Sequence, residues 1–165
     1  MKKLYIIRHA KSSWKDITLS DYDRPLNKRG KHNSLFMGKL LAKQGVLPDT
    51  ILSSSAKRAY TTAKNIAKEI GFSKQKIHFT SDIYEASVSD LLELIQSINN
   101  KHKIAFLIGH NPALNMLLDY LAPRHDIENI VTTGIVELEL DIDKWCKLSS
   151  KNIRVLSFEY PRKYL

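Results

Sequence analysis

Apolar residues gather along the chain in short runs and stripes, and the spacing changes from one to the next. Residues 3–8 hold the run Leu4-Tyr5-Ile6-Ile7, read as a buried strand that hands over to Arg8-His9. Asp21 to Pro25 reads as a turn or loop. From Lys28 to Lys43, Leu35, Phe36, Lys39, Leu40 and Lys43 recur as apolar and basic residues at helical spacing, which predicts a helix closed by Gly45 and Pro48. Thr50 to Ser53 is a short strand, and Lys57 to Ile70 a second helix that Gly71 stops at a C-terminal cap position. Lys76 to Thr80 offers another strand. Ser87 to Ile98 carries Leu91, Leu94, Ile95 and Ile98, the stripe of a surface helix. Lys103 to Ile108 is an unbroken apolar strand running into Gly109-His110-Asn111-Pro112. Leu114, Leu117, Leu118 and Leu121 form the next helical stripe, ended by Pro123. Ile135 to Leu140 and Ile153 to Tyr160 read as two strands able to pair antiparallel.

Strands alternate with helices through residue 122, the pattern of βαβ units. The expected fold is therefore α/β: a three-layer α/β/α sandwich whose central sheet is mostly parallel, with an antiparallel C-terminal part. No repeat, low-complexity segment or linker divides the chain, so residues 1–165 are expected to form a single domain.

Composition narrows the setting. Cys146 is the only cysteine, which leaves no disulfide framework or thiolate zinc cage and fits a reducing compartment. Arg8 and His9 interrupt the first apolar run too early for a signal-peptide core, and no apolar stretch is long enough to span a bilayer. A cytoplasmic protein without membrane contact is expected. The net charge of +9 suggests an anionic partner: nucleic acid, an acidic protein surface or a phosphorylated substrate. A nucleic-acid binder should interleave aromatics with a basic face, and the seven tyrosines and two tryptophans show no such stripe. No nucleic-acid partner is expected.

Candidate chemistry collects where strands end. Arg8-His9 follows the first strand and His110 the fourth, while Arg58 opens the helix after Thr50–Ser53. Arg24 lies in a loop stiffened by Pro25. Guanidinium forks match phosphate oxygens in pairs, so three arginines and two histidines describe a pocket for a dianion. Gly109 would admit a ligand close to the backbone, and Pro112 suits the first turn of a helix whose free N–H groups favour phosphate, with Asn111 beside it as a further binding candidate. The arginines would repel a metal cation, and the histidines lack metal-ligand spacing, so neither a metal nor another cofactor is expected.

Arg8-His9, Arg24-Pro25-Leu26 through Gly30, Ser54 to Ala63 around Arg58, and Gly109-His110, in that order, resemble the histidine phosphatase superfamily. More narrowly the chain resembles the SixA-type phosphohistidine phosphatases, from residue 4 to about 122. The resemblance implies a phosphoglycerate mutase-like fold and a phosphatase that hydrolyses phosphohistidine on a protein through a covalent intermediate. His9 would be the nucleophile; Arg8, Arg58 and His110 would clamp the phosphoryl oxygens, and Arg24 would help hold phosphate. Glu85 stands where members with a general acid often carry one, and reads equally as an exposed carboxylate opening a helix. The partner would be a phosphohistidine-bearing protein such as a histidine-phosphotransfer domain, or a small phosphate ester, with phosphate ion as product. Two alternatives stay open: a phosphomonoesterase or mutase acting on a small ester, and a binding module without turnover. The chain departs from the usual Arg-His-Gly at Ala10, where a positive φ would be disfavoured.

Overall fold

The computed structural model describes residues 1–165. Six strands, β1 (Lys2–Arg8), β2 (Thr50–Ser54), β3 (His78–Thr80), β4 (Ile104–Gly109), β5 (Ile135–Leu140) and β6 (Ile153–Glu159), form one sheet in the order β3-β2-β4-β1-β5-β6. The pairs β2/β3, β2/β4 and β1/β4 are parallel, whereas β1/β5 and β5/β6 are antiparallel. The helices are α1 (Lys28–Lys43), α2 (Lys57–Ile70), α3 (Val88–Gln96) and α4 (Ala113–Leu121).

Alternation along the strands explains the layers. In β1, Tyr5 and Ile7 face α1 and α2, where they meet Met37, Leu41, Ala63 and Ile66; Leu4 and Ile6 face α3 and α4, where they share a core with Leu91, Ile95, Leu114 and Leu117. β4 divides in the same way, with Phe106 and Ile108 on the first side and Ala105 and Leu107 on the second. Strands buried on both faces read as continuous apolar runs, which is why β1 and β4 stood out. The result is the expected α/β/α sandwich with an antiparallel C-terminal part. No helix is long and apolar enough to cross a membrane.

Local signals set most boundaries. The Asn27 side chain caps α1 by accepting from the Gly30 N–H at 2.7 Å, and Gly71 ends α2 in the left-handed conformation. Helix α3 opens at Val88, one residue inside the predicted Ser87–Ile98, because Ser87 is its N-cap and forms a reciprocal capping box with Asp90. Strand β3 is shorter than the predicted Lys76–Thr80, since Lys74–Lys76 winds into a 3-10 turn. Pro112 precedes α4 as its N-cap rather than occupying the first turn.

Candidate active site

Three adjacent parallel strands, β2, β4 and β1, deliver Ser54, Gly109-His110 and Arg8-His9 to one edge of the sheet. Arg8 and Gly109 are register partners, and the His9 N–H donates to the Gly109 carbonyl at 3.0 Å. The two imidazoles therefore lie side by side, with ring centres 5.1 Å apart.

His9 is buried, and its Nδ1 lies 2.8 Å from the carbonyl oxygen of Ala10. A carbonyl can only accept, so Nδ1 carries the proton and Nε2 keeps its lone pair. That lone pair points at Arg58, whose Nε–H donates to it at 3.3 Å. Burial, followed by the neighbouring His110, Arg58 and Arg8, pushes the His9 pKa down to about 3. The ring is thus neutral at physiological pH.

His110 is held by a side chain instead of a backbone carbonyl. Its Nε2 lies 2.8 Å from the Ser54 hydroxyl, which already accepts from the Ala56 N–H at 3.2 Å. The ring is thereby held in place by Ser54, and its Nδ1 is buried without a protein partner. Burial and the Arg58 charge push the His110 pKa down to about 4.

Arg58, on the first turn of α2, uses three nitrogens: Nε toward His9, Nη1 on the Asp21 carbonyl at 2.6 Å and Nη2 on the Asp21 carboxylate at 3.0 Å. Arg24 reaches the other oxygen of Asp21 through Nε and Nη2 at 3.2 and 3.1 Å, and its Nη1 donates to Ser12 Oγ at 2.7 Å. The Trp14 indole lies over the Arg24 guanidinium at 3.5 Å. Tyr84 completes the cluster by donating to Asp21 at 2.7 Å. This hydrogen bond, with the two arginines, holds the Asp21 carboxyl down at about 2, and the same bond pushes the Tyr84 hydroxyl up to about 12. Asp21 is an internal anion seated on the guanidinium groups of a cationic site.

Arg8 anchors itself by donating from Nη1 to the Ile130 carbonyl at 3.0 Å, while its buried Nε has no partner. Asn111 lines the neighbouring cavity, but its side chain is committed elsewhere. Its amide nitrogen donates to the Ile130 carbonyl at 2.8 Å, and its oxygen accepts from the Asn115 N–H at 3.0 Å. Glu85 is exposed at the mouth of that cavity with φ +56°; it does not open α3. Ala10 is fully buried, lies outside the left-handed region and donates to Thr62 Oγ1 at 2.9 Å. Alanine therefore costs no backbone strain there.

The strand-end histidines and the three arginines are brought together; four further contributors had no local signal strong enough to single them out. Asp21 and Tyr84 meet across 63 residues of sequence. Ser54 holds the His110 ring from the end of β2. Thr133, fully buried at φ +62°, donates its N–H to the carbonyls of both Arg8 and His9 at 3.1 Å. A β-branched residue in that conformation is strained, and this strain sits directly behind the Arg8-His9 pair. No group of three or more His, Cys, Asp or Glu side chains is arranged to hold a metal ion.

Known proteins share this fold. The family model described as "Histidine phosphatase superfamily (branch 1)" matches residues 4–107. An uncharacterized chloroplastic protein of Arabidopsis thaliana is 35% identical over 118 residues, which are 67% of this chain and 54% of that protein. The mitochondrial serine/threonine-protein phosphatase Pgam5 of Drosophila melanogaster is 32% identical over 76 residues, 46% of this chain and 26% of that protein. The chain thus spans about half of the first relative's length and about a quarter of the second's. Among solved structures, a protein assigned as a SixA phosphohistidine phosphatase from Agrobacterium tumefaciens superposes with a TM-score of 0.83 at 26% identity, covering 97% of this chain and 98% of that one. A protein histidine phosphatase SixA complexed with tungstate has the same fold, with a TM-score of 0.84 at 21% identity and 99% of each chain covered. With a family match running from β1 into β4, and with Arg8, His9, Arg58 and His110 converging at the ends of those strands, the chain belongs to the histidine phosphatase superfamily.

Proposed function

We propose that the protein is a phosphohydrolase that removes phosphate from phosphohistidine on a protein, with His9 as nucleophile. The observation that carries this reading is the His9 ring itself: Nδ1 tied to a backbone carbonyl, Nε2 free to attack, and the ring held neutral among cations. An arriving phosphoryl group draws the Arg58 Nε–H away from Nε2 and onto its own oxygen, which uncovers the lone pair. Nε2 then forms a bond to phosphorus as the bond to the leaving nitrogen breaks. Arg8, Arg58 and His110 hold the equatorial oxygens, and Arg24 holds the phosphate at the rim. Most of the catalytic gain is positioning and charge stabilisation, because phosphoryl transfer passes through a loose transition state. Water next attacks phosphorus, the P–Nε2 bond breaks, one proton passes to solvent, and phosphate leaves with His9 restored.

A departing imidazole has a conjugate-acid pKa near 6.5 and takes its proton from water. An alkoxide needs an acid, and Glu85 at the mouth is the carboxyl group available to supply one. Its position favours, as a second reading, hydrolysis of small phosphate esters at the same centre. Glu85→Gln is expected to spare phosphohistidine hydrolysis and to lower alkyl ester hydrolysis at least tenfold, the usual scale of a general acid; equal losses would count against the split. The exposed cysteine Cys146, unpaired, suits a reducing compartment such as the cytoplasm. The decisive experiment is to quench the enzyme in alkali during turnover of a phosphohistidine-bearing protein and look for phosphate on His9 by mass spectrometry. Phosphate on His9, with turnover abolished in His9→Ala, is the expected result; turnover retained in His9→Ala overturns it.

A further inference from the structure

The chain carries a net charge of +9, yet the cavity that opens beside His110 does not share that sign. It occupies about 640 Å³ between the N-terminal turns of α3 and α4, and Arg58, His110, Tyr84 and Asp21 line it. It is thus continuous with the phosphoryl site. Its remaining walls are largely apolar: Ile83, Ala86, Val88, Pro112, Ala113 and Met116. Arg58 is its one cation, and Asp21 already matches that charge at 3.0 Å. Glu85 adds a second carboxylate, and no lysine lines the space. Tyr84 sets its ring edge-on to the His110 imidazole, with centres 5.5 Å apart and planes at 81°, which makes the inner wall aromatic.

We propose that this cavity receives the group from which phosphorus departs, and that it selects an uncharged, ring-sized apolar group over an anionic one. The inference rests on the phosphohydrolase reading above and names the substrate class for that site. With Arg58 and Asp21 matched, the Glu85 carboxylate is the unmatched charge and would repel a third carboxylate, and apolar walls would strip its water without offering a partner. The volume readily admits a ring with its attached atoms. An imidazole or a phenol fits these terms; a phosphorylated sugar acid, or an ester carrying a second phosphate, does not. Met116, half-exposed on α4, and Ser89, exposed on α3, stand on opposite rims.

Phenylphosphonate and 4-(carboxymethyl)phenylphosphonate test this, because their P–C bonds are not hydrolysed and the added carboxylate lies across the ring from phosphorus. By calorimetry the carboxylate compound should bind about three- to tenfold more weakly to the native protein, as expected for repulsion by a solvent-exposed carboxylate over several ångströms. Met116→Lys and Ser89→Lys should each bring the two affinities together. Equal affinities in the native protein, a ratio that neither lysine moves, or failure to bind either phosphonate overturns the proposal. Turnover of a phosphohistidine-bearing protein is measured alongside. No turnover with the affinity ratio intact defeats the phosphohydrolase reading alone, whereas turnover with equal affinities defeats the leaving-group selectivity alone.

Discussion

As the proposed nucleophile, His9 meets two requirements that oppose each other in water: a good nucleophile is basic, and a basic imidazole is protonated. The fold separates them by burying the ring beside cations, so the proton is refused and the lone pair is kept. The ring proton resonances of His9 should therefore show no inflection between pH 5 and 8 in the unliganded protein; a titration centred above 7 would remove the basis for nucleophilic attack. Asp21 supports a second expectation. Its carboxylate rests on Arg24 and Arg58 as a phosphate would, so any oxyanion must bind beside an existing negative charge. Asp21→Asn should bind orthophosphate about tenfold more tightly by calorimetry, in line with removing one nearby like charge. Weaker binding would instead mean that Asp21 matters chiefly by aiming the two guanidinium groups.

The contact between α1 and the strand-end loop shows how elements hold such residues. A Cβ on Gly30 would lie 2.1 Å from the Lys11 carbonyl oxygen, so the helix starts with its backbone against the loop that follows His9-Ala10. Gly30→Ala should cost about 1–3 kcal/mol, the usual range for overpacking. Urea unfolding measures that loss, and phosphate affinity should fall with it because Ser12, which supports Arg24, moves as well. Gly30 belonged to the recognisable Arg24-to-Gly30 segment, but its reason is a contact no spacing reveals. Legibility followed locality throughout. Helices α1 and α2 and strand β5 occupy the residues their periodicity marks, since stripe, cap and stop all lie within each segment. The strand order and the irregularity between Glu137 and Leu138 against β6 depend on distant pairings and leave no local trace. The site divides in the same way. Arg8, His9, Arg58 and His110 announce themselves at strand and helix junctions. Asp21 becomes meaningful only through an arginine 37 residues away, and Thr133 only through carbonyls on β1 and just after it.

For the molecule as a whole, the two buried imidazoles tie stability to pH. Both have folded pKa values below 6.5, about 3 for His9 and about 4 for His110, so the unfolded chain takes up protons that the folded chain refuses. Their contribution is full above pH 6.5 and is lost as pH falls from there through about 4 and 3. Thermal midpoints should decline across that window, and His9→Phe should make the slope shallower; an unchanged slope would show that other groups control acid unfolding. Asp21 acts lower, its share present above 3.8 and lost toward about 2. The pairing of β1 with β4 has a longer reach. Because the β1/β4 register and the His9–Gly109 backbone hydrogen bond set His9 and His110 side by side, the proposed phosphoryl transfer would be written into the sheet, while residues 83–89 and 112–116 would decide what is attached to the phosphorus. Such a division lets a lineage, or a protein engineer, exchange one substrate for another by editing two helix entrances without disturbing the step that cuts.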